Sequence, residues 1–374
     1  MAGIYLHIPF CKQACHYCNF HFSTSMRFKP ELVAALQEEA RLRTGYLEGA
    51  PVETVYFGGG TPSLLSDSEL NAVMDTLRAG FPIHSAAEIT LEANPDDITP
   101  ARLQAWKAAG VNRLSIGTQS FFEDELRWMN RAHTAAHARQ CIEDSLAAGI
   151  SNLSIDLIYG SPLLSDERWE ENVRIATGYG IPHLSCYALT VEEKTPLHKQ
   201  IEHRQKTDID NEQQARQFLL LMQWLKASGY EHYEVSNFAK PGMRSRHNSS
   251  YWRGLPYLGL GPSAHSYNGS ERSWNIANNN AYIRALAEGS VPQECETLTR
   301  AQHLNEYLMI ALRTLEGINL QRVAATATDA EYRDIQRRLI VFLQEGLVLQ
   351  TATGFALTDD GMLRADGLAA ELFV

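Results

Sequence analysis

The sequence lacks long apolar runs, and none approaches the ~20 residues of a membrane-spanning helix. Its first residues, MAGIYLHIPFC, also lack the basic segment and long apolar stretch of a secretory signal. A strand-like pattern begins at about residue 4, which leaves no room for a transit peptide. These absences predict a soluble, cytoplasmic protein.

Positive charge is also scarce. The 33 Lys and Arg residues face 44 Asp and Glu residues, and the net charge is −11. General binding to nucleic acid needs a basic face that neutralises phosphates, so we expect no nucleic-acid partner. A hydrophobic content of 44% in 374 residues indicates instead a globular protein with one large and one smaller domain.

Cysteine is infrequent and unevenly placed. Of the six cysteines, Cys11, Cys15 and Cys18 lie within eight residues, in the pattern CxxxCxxC. Clustered thiols in an intracellular chain predict a metal site, whereas a disulfide framework spreads its cysteines in bridging pairs. Three thiolates serve three of the four irons of a [4Fe-4S] cluster and leave one iron open to a small molecule. A zinc site with His16 or His21 as fourth ligand is the alternative.

Up to about residue 240, short β-type runs alternate with longer helical patterns. Strands are predicted at 4–8, 54–57, 89–92, 113–117, 153–158, 183–188 and 232–235, and helices at 30–45, 66–80, 100–110, 135–149 and 211–229. The strand runs are apolar without period-2 alternation, as in buried parallel strands. Repeated βα units predict a parallel sheet, closed or partly closed into a barrel, with the chemistry at the carboxyl ends of its strands.

Beyond residue 240 the composition changes. Residues 241–290 are rich in Gly, Pro, Asn, Ser and aromatic residues, which predicts loop or irregular β structure. In 291–374, helical patterns at 305–315 and 331–346, a hairpin and a last helix predict a winged-helix-like module. Its twelve acidic and seven basic residues argue against DNA binding.

Two motifs together resemble those of radical-SAM proteins. The first is CxxxCxxC with Tyr17 before its last cysteine, and the second is Gly58-Gly59-Gly60-Thr61-Pro62, where glycine lets backbone approach a cofactor. The segments LHIPFC, YFGGGTPS, LEANP, IGTQSF, NRAH and IDLIYG resemble the HemN/HemW branch, in order over nearly the whole chain. The resemblance implies an α/β fold, a partial parallel (β/α) barrel of radical-SAM type, a [4Fe-4S] cluster on the three cysteines and S-adenosylmethionine (SAM) at the open iron.

The resemblance also implies a set of SAM-binding residues: Tyr5, Tyr17, Gly60, Thr61, Glu92, Gln119, Arg131, Asp156 and Ala188. Their chemistry is consistent with this role. The carboxylates suit the amino group and ribose hydroxyls of SAM, Arg131 suits its carboxylate, and the tyrosines can pack against it. Each residue taken alone could equally be an ordinary polar residue of the rim.

One position separates the members of this branch. Coproporphyrinogen dehydrogenases carry a further cysteine, CxxxCxxCxC, where this chain has Phe20, and they have a long amino-terminal segment that is absent here.

The segment HNSSYW at 247–252 resembles the HNxxYW motif of the heme-transferring group. The resemblance therefore implies a heme chaperone, with heme, heme-acceptor proteins such as membrane respiratory enzymes, and a second copy of the chain as partners. A porphyrinogen-acting radical enzyme and a radical-SAM methyltransferase are the alternatives, and SAM cleavage stays open.

His247 is the predicted heme ligand, because a neutral imidazole can bind iron and the adjacent Tyr251 and Trp252 offer flat surface. Nearby arginines make the segment a basic island that could pair with porphyrin propionates. Under the alternative interpretation, His247 only ties down a loop through hydrogen bonds. The rival ligands are His265, His21 and Cys186.

Overall fold

The structure is a computed structural model that describes residues 1–374. Its fifteen strands are β1 Ala2–Ile8, β2 Val52–Gly59, β3 Ile83–Ala93, β4 Arg113–Gln119, β5 Leu153–Tyr159, β6 His183–Ala188, β7 Glu231–Glu234, β8 Asn237–Ala239, β9 Tyr257–Leu260, β10 His265–Tyr267, β11 Glu271–Asn275, β12 Gln293–Thr297, β13 Ile318–Asn319, β14 Val348–Gln350 and β15 Gly354–Leu357.

Its fifteen α-helices are α1 Lys29–Leu42, α2 Asp67–Gly80, α3 Pro100–Ala109, α4 Glu123–Trp128, α5 Ala135–Ala147, α6 Asp166–Gly178, α7 Pro196–Glu202, α8 Asn211–Ala227, α9 Arg246–Trp252, α10 Asn279–Ala287, α11 Arg300–Leu312, α12 Leu320–Thr326, α13 Asp329–Gln344, α14 Asp359–Met362 and α15 Ala365–Glu371. None of them is long and apolar enough to cross a membrane.

Twelve strands form one open sheet, in the order β12-β11-β10-β9-β1-β2-β3-β4-β5-β6-β8-β7. Strands β1 to β6 are parallel neighbours in chain order, and β9 pairs in parallel with the other side of β1. The sheet does not close, because β12 and β7 are not paired with each other. The predicted partial parallel barrel is therefore confirmed.

Local sequence explains how the crossover helices begin. Ser66 caps α2 by accepting a hydrogen bond from the backbone of Glu69 at 3.2 Å, and the Glu69 carboxylate accepts one from the Ser66 N–H at 2.7 Å. This reciprocal pair is the capping box that the pattern Ser66-Asp67-Ser68-Glu69 predicts. Such ends fix where each helix starts and therefore where the loops at the barrel rim lie.

The predicted strand at 232–235 exists as β7, but it is not a parallel neighbour of β6. The short strand β8 lies between them and is antiparallel to both. The expectation of seven parallel strands was wrong here because β8 has three residues, too few to show a period.

The prediction of loop or irregular β structure for 241–290 covered its short strands but missed its two helices. This segment contains α9, the strands β9, β10 and β11, and α10. The strands are only three to five residues long and separated by tight turns, so neither apolar periodicity nor length could identify them. They extend the sheet beyond β1, next to the loop that carries the three cysteines.

The C-terminal part contains α11 to α13 and a three-stranded antiparallel sheet of order β13-β15-β14, an arrangement like that of a winged helix. It contacts both ends of the open sheet. Backbone bonds join Val235 to Arg313 at 3.0 Å and Leu315 to Tyr233 at 3.0 Å, and Arg272 of β11 is ion-paired with Glu306 of α11. One apolar core of 76 buried residues runs through both parts. The division into 1–240, 241–290 and 291–374 stays a prediction.

Candidate functional site

The cysteine loop follows β1, the strand at the centre of the sheet. The N–H of Cys11 donates to the carbonyl of Ser23 at 3.0 Å, and the N–H of His16 donates to that of Met129 at 3.1 Å. The loop is thus held at both sides of the cysteine cluster. Cys11, Cys15 and Cys18 are partly buried free thiols, so all three are available as ligands.

Two side chains donate hydrogen bonds to the sulfur atoms. Arg131 Nη1 lies 3.2 Å from Cys15 Sγ, and Thr61 Oγ1 lies 3.5 Å from Cys11 Sγ. Such donors stabilise negative charge on sulfur, as cluster ligation requires. Burial raises the pKa of the Cys11 thiol, and it raises that of Cys18 to about 11, so metal binding there must displace a proton.

No three His, Cys, Asp or Glu side chains are arranged so that they could bind a single metal ion. A mononuclear zinc site requires such an arrangement. A cubane cluster does not, because each of its cysteines binds a different iron. The donor set of three free thiols with cationic and hydroxyl donors beside them fits the cluster.

The glycine motif is adjacent to this loop. The Gly60 N–H donates to the carbonyl of Ile8 at 2.9 Å. A Cβ atom at Gly60 would lie 2.7 Å from the carbonyl oxygens of Ile8 and Phe10. Gly59 has a φ of +101°, in the region that favours glycine. The two glycines therefore let the backbone after β2 lie directly against the start of the cysteine loop.

Glu92 lies at the end of β3, beside the glycine motif. Its Oε1 accepts from the Tyr56 hydroxyl at 2.7 Å, and its Oε2 accepts from the Gly59 N–H at 3.2 Å. Burial, and then the nearby Asp156 charge, raise the pKa of Glu92 to about 7, despite these hydrogen bonds. Burial also raises the pKa of Asp156, on β5, to about 6. A cationic ligand would stabilise both carboxylates.

Arg131 connects several of the predicted residues. Its Nη2 donates to Asn94 Oδ1 at 2.7 Å and to the carbonyl of Gly117 at 2.8 Å, while Asn94 Nδ2 donates to Thr61 Oγ1 at 3.2 Å. The Nε of Arg131 is buried without a protein partner. This N–H is available to a ligand carboxylate.

Asn94 is a residue that the site prediction omitted, although it stands in the segment LEANP. It connects Thr61 to Arg131 and thereby the glycine motif to the cysteine loop. The signal that could have identified it is its position directly after β3, beside Glu92.

The other predicted SAM residues lie around the same rim. Gln119 ends β4 with a φ of +64°, where the pairing of β4 with β5 shifts register. Such an irregularity changes the direction of the side chain. Tyr17 lies in the cysteine loop, Tyr5 stacks on Tyr56 with ring centroids 6.1 Å apart, and Ala188 ends β6. Gly60, Thr61, Glu92, Gln119 and Ala188 thus lie at or next to strand ends and Tyr17 lies in the cysteine loop, whereas Tyr5 and Asp156 lie within β1 and β5 and Arg131 lies between α4 and α5. Hydrogen bonds connect Thr61 and Arg131 to the cysteines, and none connects Ala188 to them. The roles of these residues toward SAM stay predictions.

His247 lies at the start of α9 and is only 2% exposed. Its Nδ1 is hydrogen-bonded to Thr54 Oγ1 at 2.7 Å and its Nε2 to the Tyr251 hydroxyl at 2.8 Å. Burial, aided by the nearby Arg113 charge, lowers its pKa to about 3, so the ring is neutral. Both nitrogens are engaged, and an iron would have to displace one of these partners. The geometry favours the interpretation that His247 fixes α9 against β2.

The arginines near HNSSYW are mostly neutralised. Arg244 is ion-paired with Glu231 and Glu316, and Arg246 with Glu53. The basic island of the sequence is therefore not a basic surface, because acidic residues distant in the chain fold against it.

Other cysteines and histidines lie outside this network. Cys141 and Cys186 are buried, as packing residues are, but Cys295 is exposed on β12. His133 is buried before α5 and hydrogen-bonded to the Thr118 carbonyl at 3.0 Å.

Comparison with known proteins gives a consistent result. The profile of the Radical SAM superfamily matches residues 5–176, and that of the HemN C-terminal domain matches residues 298–364. Among curated proteins, "Heme chaperone HemW" of Mycobacterium tuberculosis is 34% identical over 99% of this chain and 94% of its own length. The protein of the same name is 33% identical in Bacillus subtilis, over 97% of each chain, and 32% identical in Escherichia coli K12, over 100% of this chain and 98% of the other.

Among solved structures, coproporphyrinogen III oxidase (HemN) from Escherichia coli superposes with a TM-score of 0.86 and covers 100% of this chain and 90% of that one. At 23% identity this likeness establishes the fold alone.

Proposed function

This chain belongs to the HemW family of the radical SAM superfamily, and on that premise we propose that it is a heme chaperone, which binds heme and transfers it to acceptor proteins. The observation that carries the proposal is the full-length similarity to three bacterial heme chaperones. Membership of the superfamily implies a [4Fe-4S] cluster and SAM.

Phe20 supports this choice over porphyrinogen dehydrogenation. It stands where the dehydrogenases of the branch have a further cysteine, and its side chain is 67% exposed. No thiol is available at this position to serve the chemistry of that cysteine.

We propose that Cys11, Cys15 and Cys18 hold the cluster and that Arg131, with its unpartnered Nε, receives the carboxylate of SAM. Glu92 and Asp156 would then face the amino group and the ribose. When bound, the reduced cluster would supply one electron to the sulfonium group of SAM. In a chaperone, the cluster and SAM together would instead hold the cysteine loop in a fixed conformation.

The same proposal has three further parts. The acceptor proteins include membrane respiratory enzymes, the chain forms a homodimer, and its location is cytoplasmic. Analytical ultracentrifugation with and without the reconstituted cluster tests the dimer. A single monomeric species under both conditions would refute that part.

The proposal is tested by anaerobic reconstitution, followed by heme titration and a 5′-deoxyadenosine assay on the same preparation. We expect stoichiometric heme binding and passage of the bound heme to an apo-hemoprotein, followed by its absorption spectrum. Absence of heme binding, together with 5′-deoxyadenosine production on a porphyrinogen, would overturn the chaperone function in favour of a radical enzyme.

A further inference from the structure

A large cavity lies between the sheet extension and the C-terminal part, beside the cysteine loop. Its volume is about 1260 Å³, above the ~300–1,000 Å³ of ordinary small-molecule pockets. Tyr5, Gly59 and Glu92 line one side of it, so it opens onto the predicted SAM residues. A ligand of macrocycle size fits this volume.

Four histidines line this cavity, and two of them have both ring nitrogens free of hydrogen bonds. His7 is hydrogen-bonded to the Tyr5 hydroxyl at 3.1 Å and to the His21 carbonyl at 2.8 Å, and His21 Nε2 is bonded to Asn279 at 2.7 Å. His265 on β10 and His303 on α11 make no side-chain hydrogen bond in the structure.

The walls of the cavity include apolar side chains that are exposed to solvent in the absence of a ligand. Phe20 is 67% exposed and Met309 is 39% exposed, and both line the cavity with Leu255 and Ile310. Tyr251, Tyr257 and Tyr267 add aromatic surface. Exposed apolar residues gathered at one concave site indicate a ligand with an apolar body. Phe20 therefore gains a role here: it offers a flat apolar face where related dehydrogenases carry a thiol.

The cations of the cavity differ in their availability. Arg272 is ion-paired with Glu296 at 2.5 Å and also with Glu306, and Arg300 is ion-paired with Glu331 at 2.7 Å. Arg322 on α12 forms no ion pair, and its guanidinium lies over the Tyr307 ring at 4.3 Å from the centroid. A free guanidinium at the cavity suits a carboxylate group of the ligand.

Resting on the proposed function, we propose that heme lies in this cavity, with His265 and His303 as iron ligands and Arg322 paired with a propionate. This assignment replaces His247, whose ring nitrogens are engaged elsewhere. The two ligands belong to different parts of the chain, the sheet extension and α11. Separation of these parts would release the iron from one ligand, which provides a route for transfer.

The test compares heme with metal-free protoporphyrin IX, which keeps the shape and propionates but offers no iron to the histidines. We expect His265→Ala and His303→Ala each to convert a six-coordinate heme spectrum to a five-coordinate one and to lower heme affinity at least tenfold. Their affinity for protoporphyrin IX should stay unchanged. His203→Ala, at an exposed histidine outside the cavity, is the matched control.

Arg322→Gln should weaken the binding of both porphyrins several-fold, whereas Arg333→Gln, at an exposed arginine of α13 outside the cavity, should change neither. Iron and sulfide content equal to wild type shows that each variant retains its fold and its cluster.

The outcomes separate the two proposals. A wild type that binds heme and a double variant His265→Ala/His303→Ala with unchanged spectrum and affinity would overturn this cavity and leave the chaperone function intact. An unchanged spectrum in either single variant would overturn the two-ligand assignment. A wild type that binds neither porphyrin would overturn both proposals.

Discussion

At the scale of single residues, Arg131 has more connections than any other side chain of the site. It donates to Cys15 Sγ and to Asn94 Oδ1, and it keeps one buried N–H without a partner. The same guanidinium can therefore support a thiolate ligand and receive a carboxylate. Its function depends on the cysteine loop being in place, so the thiols are the first residues to test.

Replacement of Cys15 by Ala should abolish the [4Fe-4S] cluster, because two thiolates then remain for four irons. The measurements are iron and sulfide content and the visible spectrum after anaerobic reconstitution. Cys295→Ala is the control, since this cysteine is exposed on β12, away from the loop. Full cluster content in the Cys15→Ala protein would refute the ligand assignment.

Glu92 should make the cluster-free protein less stable as the pH rises. Burial raises its pKa from 4.5 to about 7, so the unfolded chain loses this proton at lower pH than the folded chain. Between these two values the folded state binds more protons, and the free energy of unfolding falls with pH by on the order of 3 kcal/mol in total. Above pH ~7 this contribution is constant.

Urea denaturation from pH 4 to 8 measures the effect. Glu92→Gln should remove roughly half of the fall, leaving the contribution of similar size that Asp156 makes in the same direction through its own raised pKa. Glu288→Gln, at an exposed position, should follow wild type. A profile of Glu92→Gln that coincides with wild type would contradict the assignment.

At the scale of elements, the regular βα units could be predicted from the sequence and the sheet extension could not. The strands β1 to β6 are long, apolar and separated by capped helices. The hydrophobic pattern and the helix-capping residues therefore indicate the same element boundaries. The extension after residue 240 consists of three- to five-residue strands whose place is set by distant partners. An example is α1, which holds the extension through a buried carboxylate.

Glu39 on α1 is fully buried and accepts hydrogen bonds from the Gly261 N–H at 2.8 Å, Asn275 at 2.7 Å and the Tyr282 hydroxyl at 2.5 Å. It is also ion-paired with Arg43 at 3.2 Å. Glu39→Ala leaves Arg43 buried without its carboxylate, which should cost about 3 kcal/mol of unfolding free energy.

Chemical denaturation measures this loss, and Glu38→Ala on the exposed face of α1 should change stability by less than ~0.5 kcal/mol. Equal stability of the two variants would show that Glu39 does not hold the extension.

At the scale of the whole molecule, the cysteine loop and the SAM candidates could be predicted because each stands in a recognisable local motif. The cavity could not, since Phe20, His265 and His303 are far apart in the sequence and meet only when the C-terminal part contacts both sheet ends. The same reason explains why the sequence predicts a basic island near HNSSYW, whereas the structure has no basic surface there. Its neutralising carboxylates, among them Glu53 and Glu316, are distant in the chain.

The whole protein should not convert coproporphyrinogen III to protoporphyrinogen IX, even with reductant and SAM, because Phe20 replaces the additional cysteine of the dehydrogenases. Chromatography of the reaction products measures this, with a coproporphyrinogen dehydrogenase as positive control. Turnover at roughly one per second, an ordinary enzymatic rate, would restore the enzymatic alternative.

The edge strand β12 has a consequence for the behaviour of the protein in concentrated solution. It pairs only with β11, and its outer N–H and C=O groups are open to another strand. Open edges are templates for aggregation, and charged side chains discourage strand addition. Glu294 supplies that repulsion beside the exposed Cys295, whereas Glu296 is ion-paired with Arg272 of β11. Neutralising Glu294 would therefore leave this edge more open to strand addition from another chain.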